Sequence, residues 1–387
     1  MTKAAKHWSL TASARAARDA RAAAIRYMRT SPVERQWQAS VLARLHESRT
    51  ADAGGAEPAR SLLFALMGCP PPYPGSWRQA SAMLLADEAR CLSQADLYVL
   101  TPGMLAAVAA AAQTLRYHDL NLLRDDDLPG PAGLVMLPQP LRLRTPTGKV
   151  EELRACTWRV PWRLPLPAGW GFAGSELPAV RMSAYTATRA NADFRHEVRR
   201  LRVVLPPILL ESTWPLPLRP ATAAQQQDQQ RLETQVHRLN VGYIERENSS
   251  QTTGETHADY APGTVIDDDE DSTFASRFMY AFWRICDQRI ATITTTATGP
   301  TSRKTTAKAR RPADVRVVAL RRPASPAAGA GQPGQVQWQH RWVVRMHKVN
   351  QWYPSLGQHR VLFRGPYLKG PADKPLLGGD IVKGLVR

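Results

Sequence analysis

Phe274, Phe278, Phe282 and Ile285 recur at three- and four-residue intervals within the stretch FASRFMYAFWRIC. That spacing sets the four side chains on one stripe of an α-helix, and a stripe so apolar has to be buried. The helix therefore demands a core, and at 387 residues the chain can build more than one, in two or three domains. Five consecutive acids, Asp267 to Asp271, stand just ahead of it. Such a run offers oxygen ligands to a cation, but acids in front of a helix are also favoured by its unpaired amide groups. Asp271 or Ser272 can cap the first turn. We read the run as a helix start, with no metal site.

The texture of the chain changes on either side of this helix. Residues 10–49 are Ala-rich and helical, broken at Ser31-Pro32, and Arg15, Arg18, Arg26 and Arg29 recur there as a solvated face. A polar loop at 51–59 and an apolar segment at 61–68 follow, the latter stopped by Cys69 and three prolines. Two further helices are expected at 77–92 and 102–115, the second capped by Thr101 with Pro102 in its first turn. Residues 1–118 are thus read as a helical N-terminal region.

From residue 119 onward, apolar runs at 133–137, 141–144, 150–158 and 179–185 are separated by Pro or Gly and read as strands of a mixed or antiparallel sheet. The run at 201–210 contains Pro206-Pro207 and reads as an edge or bent strand. The Gln-rich segment 221–239 reads as a helix with Leu232, Val236 and Leu239 on one side, and 245–260 as loop. With the phenylalanine helix these make a mixed central domain, 119–291. Residues 292–312, rich in Thr, Lys and Arg and poor in large apolar side chains, read as a flexible basic linker.

Charge is distributed unevenly. The net charge is +18, yet residues 301–387 alone hold seventeen Lys and Arg against three Asp. A field of that sign favours a polyanion: RNA, DNA or an acidic protein. Within the C-terminal module, 313–387, strands are expected at 315–320, 336–347 and 359–364, giving a small antiparallel three-stranded sheet. In the second of these, Trp338, His340, Trp342, Val344 and Met346 alternate with Gln339, Arg341, Val343, Arg345 and His347. Period two means a half-buried strand, with Arg341, Arg345 and His347 on its outer face and Trp342 on its inner one.

Guanidinium groups match phosphate geometry and aromatic rings stack on unpaired bases. The residues expected to bind nucleic acid are therefore Arg341, Arg345, Lys348, Trp352, Tyr353, His359, Arg360, Arg364, Tyr367 and Lys369. His347 is the candidate catalytic residue, because a histidine beside arginines is what a metal-independent ribonuclease uses to move a ribose proton. The alternative is that Trp352 and Tyr353 close the sheet's core and that His347 and His359 are structural.

Other chemistries find no motif. There is no nucleotide-binding glycine loop, no H-E-x-x-H and no G-x-S-x-G, so no cofactor is expected. Cys69, Cys91, Cys156 and Cys286 form no C-x-x-C pair and read as reduced thiols of a cytoplasmic protein. No apolar run approaches the length of a membrane span, and no secretory leader is expected after Met1.

The blocks PGPAGLVMLPQPL, FMYAFWRICDQRIATI, VRVVALRRP and RWVVRMHKVNQWYPSLGQHRVLFRGPYLKGP together resemble an uncharacterised family of GC-rich bacteria, often attached to mobile or plasmid-like elements. The most specific part falls on Arg345, His347, Gln351 to Ser355, His359, Arg360 and Pro366 to Pro371. Met346, Lys348 and Val349 depart from the Gly, Trp and Arg usual in that pattern. More distantly, the arrangement is similar to an anti-CRISPR protein directed at type V effectors. The resemblance implies a mobile-element setting and transfers no activity.

The expectation is an α+β protein with a basic C-terminal β module, associated with RNA or DNA as an accessory or regulatory protein of a mobile element. A ribonuclease-like toxin using His347 is the first alternative. A module binding an acidic protein partner is the second, and the oligomeric state is left open.

Overall fold

The computed structural model describes residues 8–30, 32–50, 57–188, 199, 202, 204–250, 265–268, 273–288, 291–296, 315–320, 339–345, 347–353, 358–371 and 374. The fold is mixed α/β. Seven helices are described: α1 (Leu10–Thr30), α2 (Pro32–Thr50), α3 (Glu57–Leu66), α4 (Trp77–Gln94), α5 (Pro102–Gln113), α6 (Ala223–Ser250) and α7 (Phe274–Cys286). The main sheet contains β1 (Asp96–Leu100), β2 (Ala132–Arg144), β3 (Val150–Pro165), β4 (Glu176–Ala187), β5 (Ile208–Pro217), β6 (Val265–Asp267), β7 (Ala291–Thr296) and β8 (Val315–Leu320). Its order is β5-β4-β3-β2-β1-β8-β7, with β6 paired to β2 off this path. β1 runs parallel to both β2 and β8, and β6 runs parallel to β2, whereas the remaining pairs are antiparallel.

A parallel strand at the centre of a sheet is buried on both faces, and DLYVL in β1 is apolar almost throughout for that reason. Leu97 and Val99 enter a core shared with α1, α2 and α4; Tyr98 and Leu100 enter the opposite core, shared with α5 and α7. α1 approaches closely because Ala14, Ala17, Ala20 and Ala24 form its inner stripe. Its Arg29 is more than a solvated charge: it donates to the Ala89 carbonyl at 3.3 Å and to Ser93 Oγ at 3.1 Å near the end of α4. A cation there also meets the negative end of the helix dipole.

The phenylalanine helix behaves as its stripe requires. Phe274, Phe278, Phe282 and Ile285 are each 0% exposed. The burial also extends round the helix to Met279, Tyr280, Ala281 and Trp283, since α5 packs on one flank and the sheet beneath. Asp268, from the acidic run, caps it: Oδ1 accepts from the Phe274 amide at 2.9 Å and lies 3.4 Å from Arg277. The capping residues expected from sequence, Asp271 and Ser272, lie outside the described residues. Thr101 caps α5 as expected, accepting from the Met104 amide at 3.3 Å.

Trp158 of β3 sits in the same core, with ring centroids 5.4 Å from Tyr98, 6.0 Å from Phe282 and 6.1 Å from Trp283. Its indole lies across Gly133 of β2, so close that a Cβ there would come within 2.0 Å of the ring. The two runs expected at 133–137 and 141–144 are one strand. Pro138 and Pro140 lack ladder donors, and the register shifts between Met136 and Leu141. The Arg154 side chain satisfies the Leu137 carbonyl at that break. The Gln-rich helix is present and longer than expected, with Leu232 buried and Val236 and Leu239 packed beside it against a small cluster under α3.

Three expectations need correction. The boundary at 118/119 does not separate a helical region from the sheet, because β1 lies within residues 1–118 and pairs at the sheet's centre. The linker expected at 292–312 begins as strand β7, which pairs with β8; residues 297–314 lie outside the described residues. The strand at 315–320 belongs to the main sheet instead of a C-terminal one. Val315, Val317 and Val318 are fully buried, a pattern that fits a strand covered on both faces. Among the described residues, no helix is long and apolar enough to cross a membrane.

Candidate nucleic-acid interface

Beyond β8 the described chain forms two separate ladders: β9 (Trp342–Val344) pairs with β12 (Tyr367–Lys369), and β10 (His347–Tyr353) pairs with β11 (Gln358–Arg364). The single strand expected at 336–347 is therefore split, with Arg345 outside both parts. The cause lies at Gly365-Pro366. Gly365 holds φ at 102° and Pro366 has no amide donor, so the ladder is interrupted there, and it resumes in the same register where β12 faces β9.

The β9–β12 ladder is tied to the main body. Val343 packs against the core that holds α5 and α7, Leu368 is buried, and Gln288 donates to the Pro366 carbonyl at 2.9 Å. Arg341 Nε donates to the Lys374 carbonyl at 2.7 Å, so this arginine holds backbone. Trp342, expected on a buried inner face, is only half-buried.

The β10–β11 ladder is a regular two-stranded ribbon with seven facing pairs. His347 faces Arg364, Val349 faces Leu362, Gln351 faces Arg360 and Tyr353 faces Gln358; these alternate with Lys348–Phe363, Asn350–Val361 and Trp352–His359. By the period-two rule the two sets occupy opposite faces of the ribbon. His347 and Arg364 on the first face are exposed, and Trp352 on the second is 48% exposed. The His347 ring lies 6.1 Å from that of half-buried Tyr367, and its Nδ1 is 3.0 Å from the Arg345 carbonyl. If Nδ1 carries the proton in that contact, Nε2 is the basic nitrogen.

The expected site residues thus divide. His347, Tyr353, Arg360 and Arg364 share one ribbon face; Lys348, Trp352 and His359 share the other. Arg345 is exposed where the chain passes from β9 to β10, and Lys369 is exposed at the end of β12. Gln351, facing Arg360 in the middle of the first set, was not among the expected residues.

No family model, curated protein or solved structure matches this chain. Its chemistry has to be argued from its own geometry.

A second polar cluster, between α4 and the sheet, competes for attention. Glu88 Oε1 accepts from Thr157 and Tyr185, both at 2.6 Å, and its Oε2 accepts from Ser183 at 3.0 Å. Beside it, Asp87 meets Arg181, receives two hydrogen bonds from Arg159 at 2.8 and 3.0 Å, and pairs with Arg90. Burial by itself would raise the Asp87 carboxyl; Arg181, then Arg159 and Arg90, outweigh it and hold the group below the ordinary range. Adjacent acids on a helix read as a solvated face, and this is why the sequence did not reveal the cluster. A nearby cleft of about 240 Å³ is lined by Gln94, Asp96, Pro131, Arg159 and Pro161. Its charged groups are engaged, Arg159 with Asp87 and Asp96 with Arg316. The cluster therefore joins helix to sheet and offers little to a ligand. Burial also pushes up the thiols, Cys69 to about 11 and Cys286 to about 12, which makes them poor nucleophiles near neutral pH.

Proposed function

We propose that this protein binds nucleic acid through its basic C-terminal ribbon, as an accessory or regulatory protein of a mobile element. The observation that carries the reading is the exposed line of Arg345, His347 and Arg364, in the part of the chain where Lys and Arg outnumber Asp seventeen to three. Exposed arginines at and beside a regular strand pair can track a phosphate backbone without the cost of burying charge. Arg341 contributes to the fold of this region rather than to its surface.

The test is a salt titration of nucleic-acid affinity by fluorescence anisotropy, with the full chain and with Arg345→Ala/Arg364→Ala. Each lost phosphate contact should lower the slope of log affinity against log salt by about 0.7 to 0.9. Binding insensitive to salt and to this double substitution would instead favour an acidic protein partner.

One observation favours a second reading. With Nδ1 of His347 bonded to the Arg345 carbonyl, Nε2 would be a basic nitrogen beside Arg364, the pairing that a metal-independent ribonuclease needs.

A further inference from the structure

We infer that the outward arginines of α1 form a second phosphate-binding surface, on the far side of the main sheet from the C-terminal ladders, so that the protein holds two nucleic-acid segments at once. The bridging rests on the nucleic-acid-binding reading above, while the α1 surface has observations of its own.

α1 carries five arginines against one aspartate in 21 residues. At 3.6 residues per turn, Arg15, Arg18, Arg26 and Arg29 fall within about 80° of one another around the helix axis. Ala14, Ala17, Ala20 and Ala24, none more than 4% exposed, take the other side and meet the core. Small residues thus bring the helix close to the sheet and leave the arginines in an outward line about 21 Å long. Arg15 and Arg26 are exposed. Arg18 lies 3.4 Å from its exposed neighbour Asp19, a surface pair that yields readily to a phosphate.

The line continues onto α4. Arg29 donates to Ser93 Oγ, which donates in turn to the Arg90 carbonyl at 2.7 Å. The Arg90 side chain is 68% exposed and shares Asp87 with Arg159 and Arg181, so one carboxylate serves three guanidinium groups. The positive excess of that cluster emerges at the surface beside the α1 stripe.

The chemistry of the partner follows from the rest of the helix. A membrane-surface helix sets a basic face against an apolar one that enters the lipid, but the apolar face of α1 is already buried in the core. Ala22, exposed among the arginines, offers no large apolar anchor of the kind that centres a protein interface. Spaced guanidinium groups without such an anchor suit a repeating anion, the phosphate backbone.

β1 fixes where the two surfaces lie. Leu97 and Val99 share a core with α1, whereas Tyr98 and Leu100 share the opposite core, against which Val343 of β9 packs. α1 and the β9–β12 ladder, which carries Lys369 and leads into Arg345, are therefore on opposite faces of the sheet. α1 alone is about 10 Å across, more than the Debye length of about 8 Å at physiological salt, so the two fields act as separate sites.

The experiment mixes the full chain with donor-labelled and acceptor-labelled copies of a short mixed-sequence DNA duplex and, in parallel, of a single-stranded RNA, and reads energy transfer between the two labels. We expect the parent protein to produce transfer with at least one probe. Arg15→Gln/Arg18→Gln/Arg26→Gln should lower it by about tenfold while anisotropy still shows binding within about threefold of the parent. Arg345→Ala/Arg364→Ala should lower the transfer as well. Circular dichroism of each variant guards against a loss through misfolding. Transfer unchanged by the α1 substitutions would overturn the inference and leave the C-terminal reading standing, as would binding without transfer in the parent protein. Poly-glutamate that displaces the probe from α1 as well as unlabelled nucleic acid does, at equal charge, would assign that surface to an acidic protein instead. Failure to bind either probe would remove the underlying reading itself, and the bridging with it.

Discussion

The Tyr185 hydroxyl donates a 2.6 Å hydrogen bond to Oε1 of Glu88, joining the C-terminal part of β4 to α4 where both residues are almost wholly buried. Thr157 and Ser183 supply the carboxylate's other donors, so three hydroxyls from β3 and β4 converge on one acid. Glu88→Ala should cost about 3–5 kcal/mol, because it strands several buried donors at once; Tyr185→Phe removes only one and should cost about 1–2 kcal/mol. Urea denaturation of the two variants would check both the order and the gap. Burial, and then Glu88, push the Tyr185 phenol well above its ordinary value. A group whose folded pKa is raised loses its stabilising contribution as pH rises beyond its unfolded value, here about 10, so an alkaline fall in stability should be milder in Tyr185→Phe.

Gly133 and Trp158 make a second prediction about packing. Because a Cβ at Gly133 would sit within 2.0 Å of the indole, Gly133→Ala must displace Trp158 from its contacts with Tyr98 and Phe282. We expect a loss of about 1–3 kcal/mol or more and a weakened near-ultraviolet circular dichroism signal. An unchanged denaturation midpoint would show that the ring lies elsewhere.

Glu211 predicts a pH effect. It is the extra residue of a β-bulge, falling between the pairs Ala184–Ser212 and Tyr185–Leu210. Burial, with the charge of Glu151 adding and Lys149 opposing, raises its carboxyl from 4.5 to about 8. A raised folded pKa means that the contribution present below about 4.5 is lost as pH climbs to about 8, since the unfolded chain ionises first. Glu211→Gln should match the parent protein near pH 4, gain on it through that window, and hold a constant advantage above it. Melting temperatures across that range would test the claim; a gap that does not vary with pH would refute it.

His347 separates binder from nuclease. The residue is exposed, so His347→Gln should leave stability nearly unchanged in either case. In a binder, RNA stays intact and affinity barely moves. In a ribonuclease the same substitution slows cleavage by about two to four orders of magnitude while affinity persists. The measurement is an RNA integrity assay with purified protein, using Lys374→Gln as a control for surface charge.

What the amino-acid sequence determined alone is what is local. The buried stripe of α7, the Thr101 cap of α5, the apolar side of α6 and the concentration of positive charge near the C-terminus were legible because each depends on residues within a few turns of one another, or on counting. Tertiary structure decided the rest. β1 is a five-residue apolar run between two helices, and nothing local announces that it will be the parallel centre of the sheet; its partners lie some 35 residues away in β2 and more than 200 away in β8. The same holds for the ribbon: alternation suggested one long strand through Arg345, whereas the ladder breaks there, opposite Gly365-Pro366, a partner that only the pairing with β11 and β12 reveals. Strand order and register come from contacts between distant segments, each with a loop-closure cost that only the assembled core offsets, so a linear pattern can propose strands without determining which edges they share.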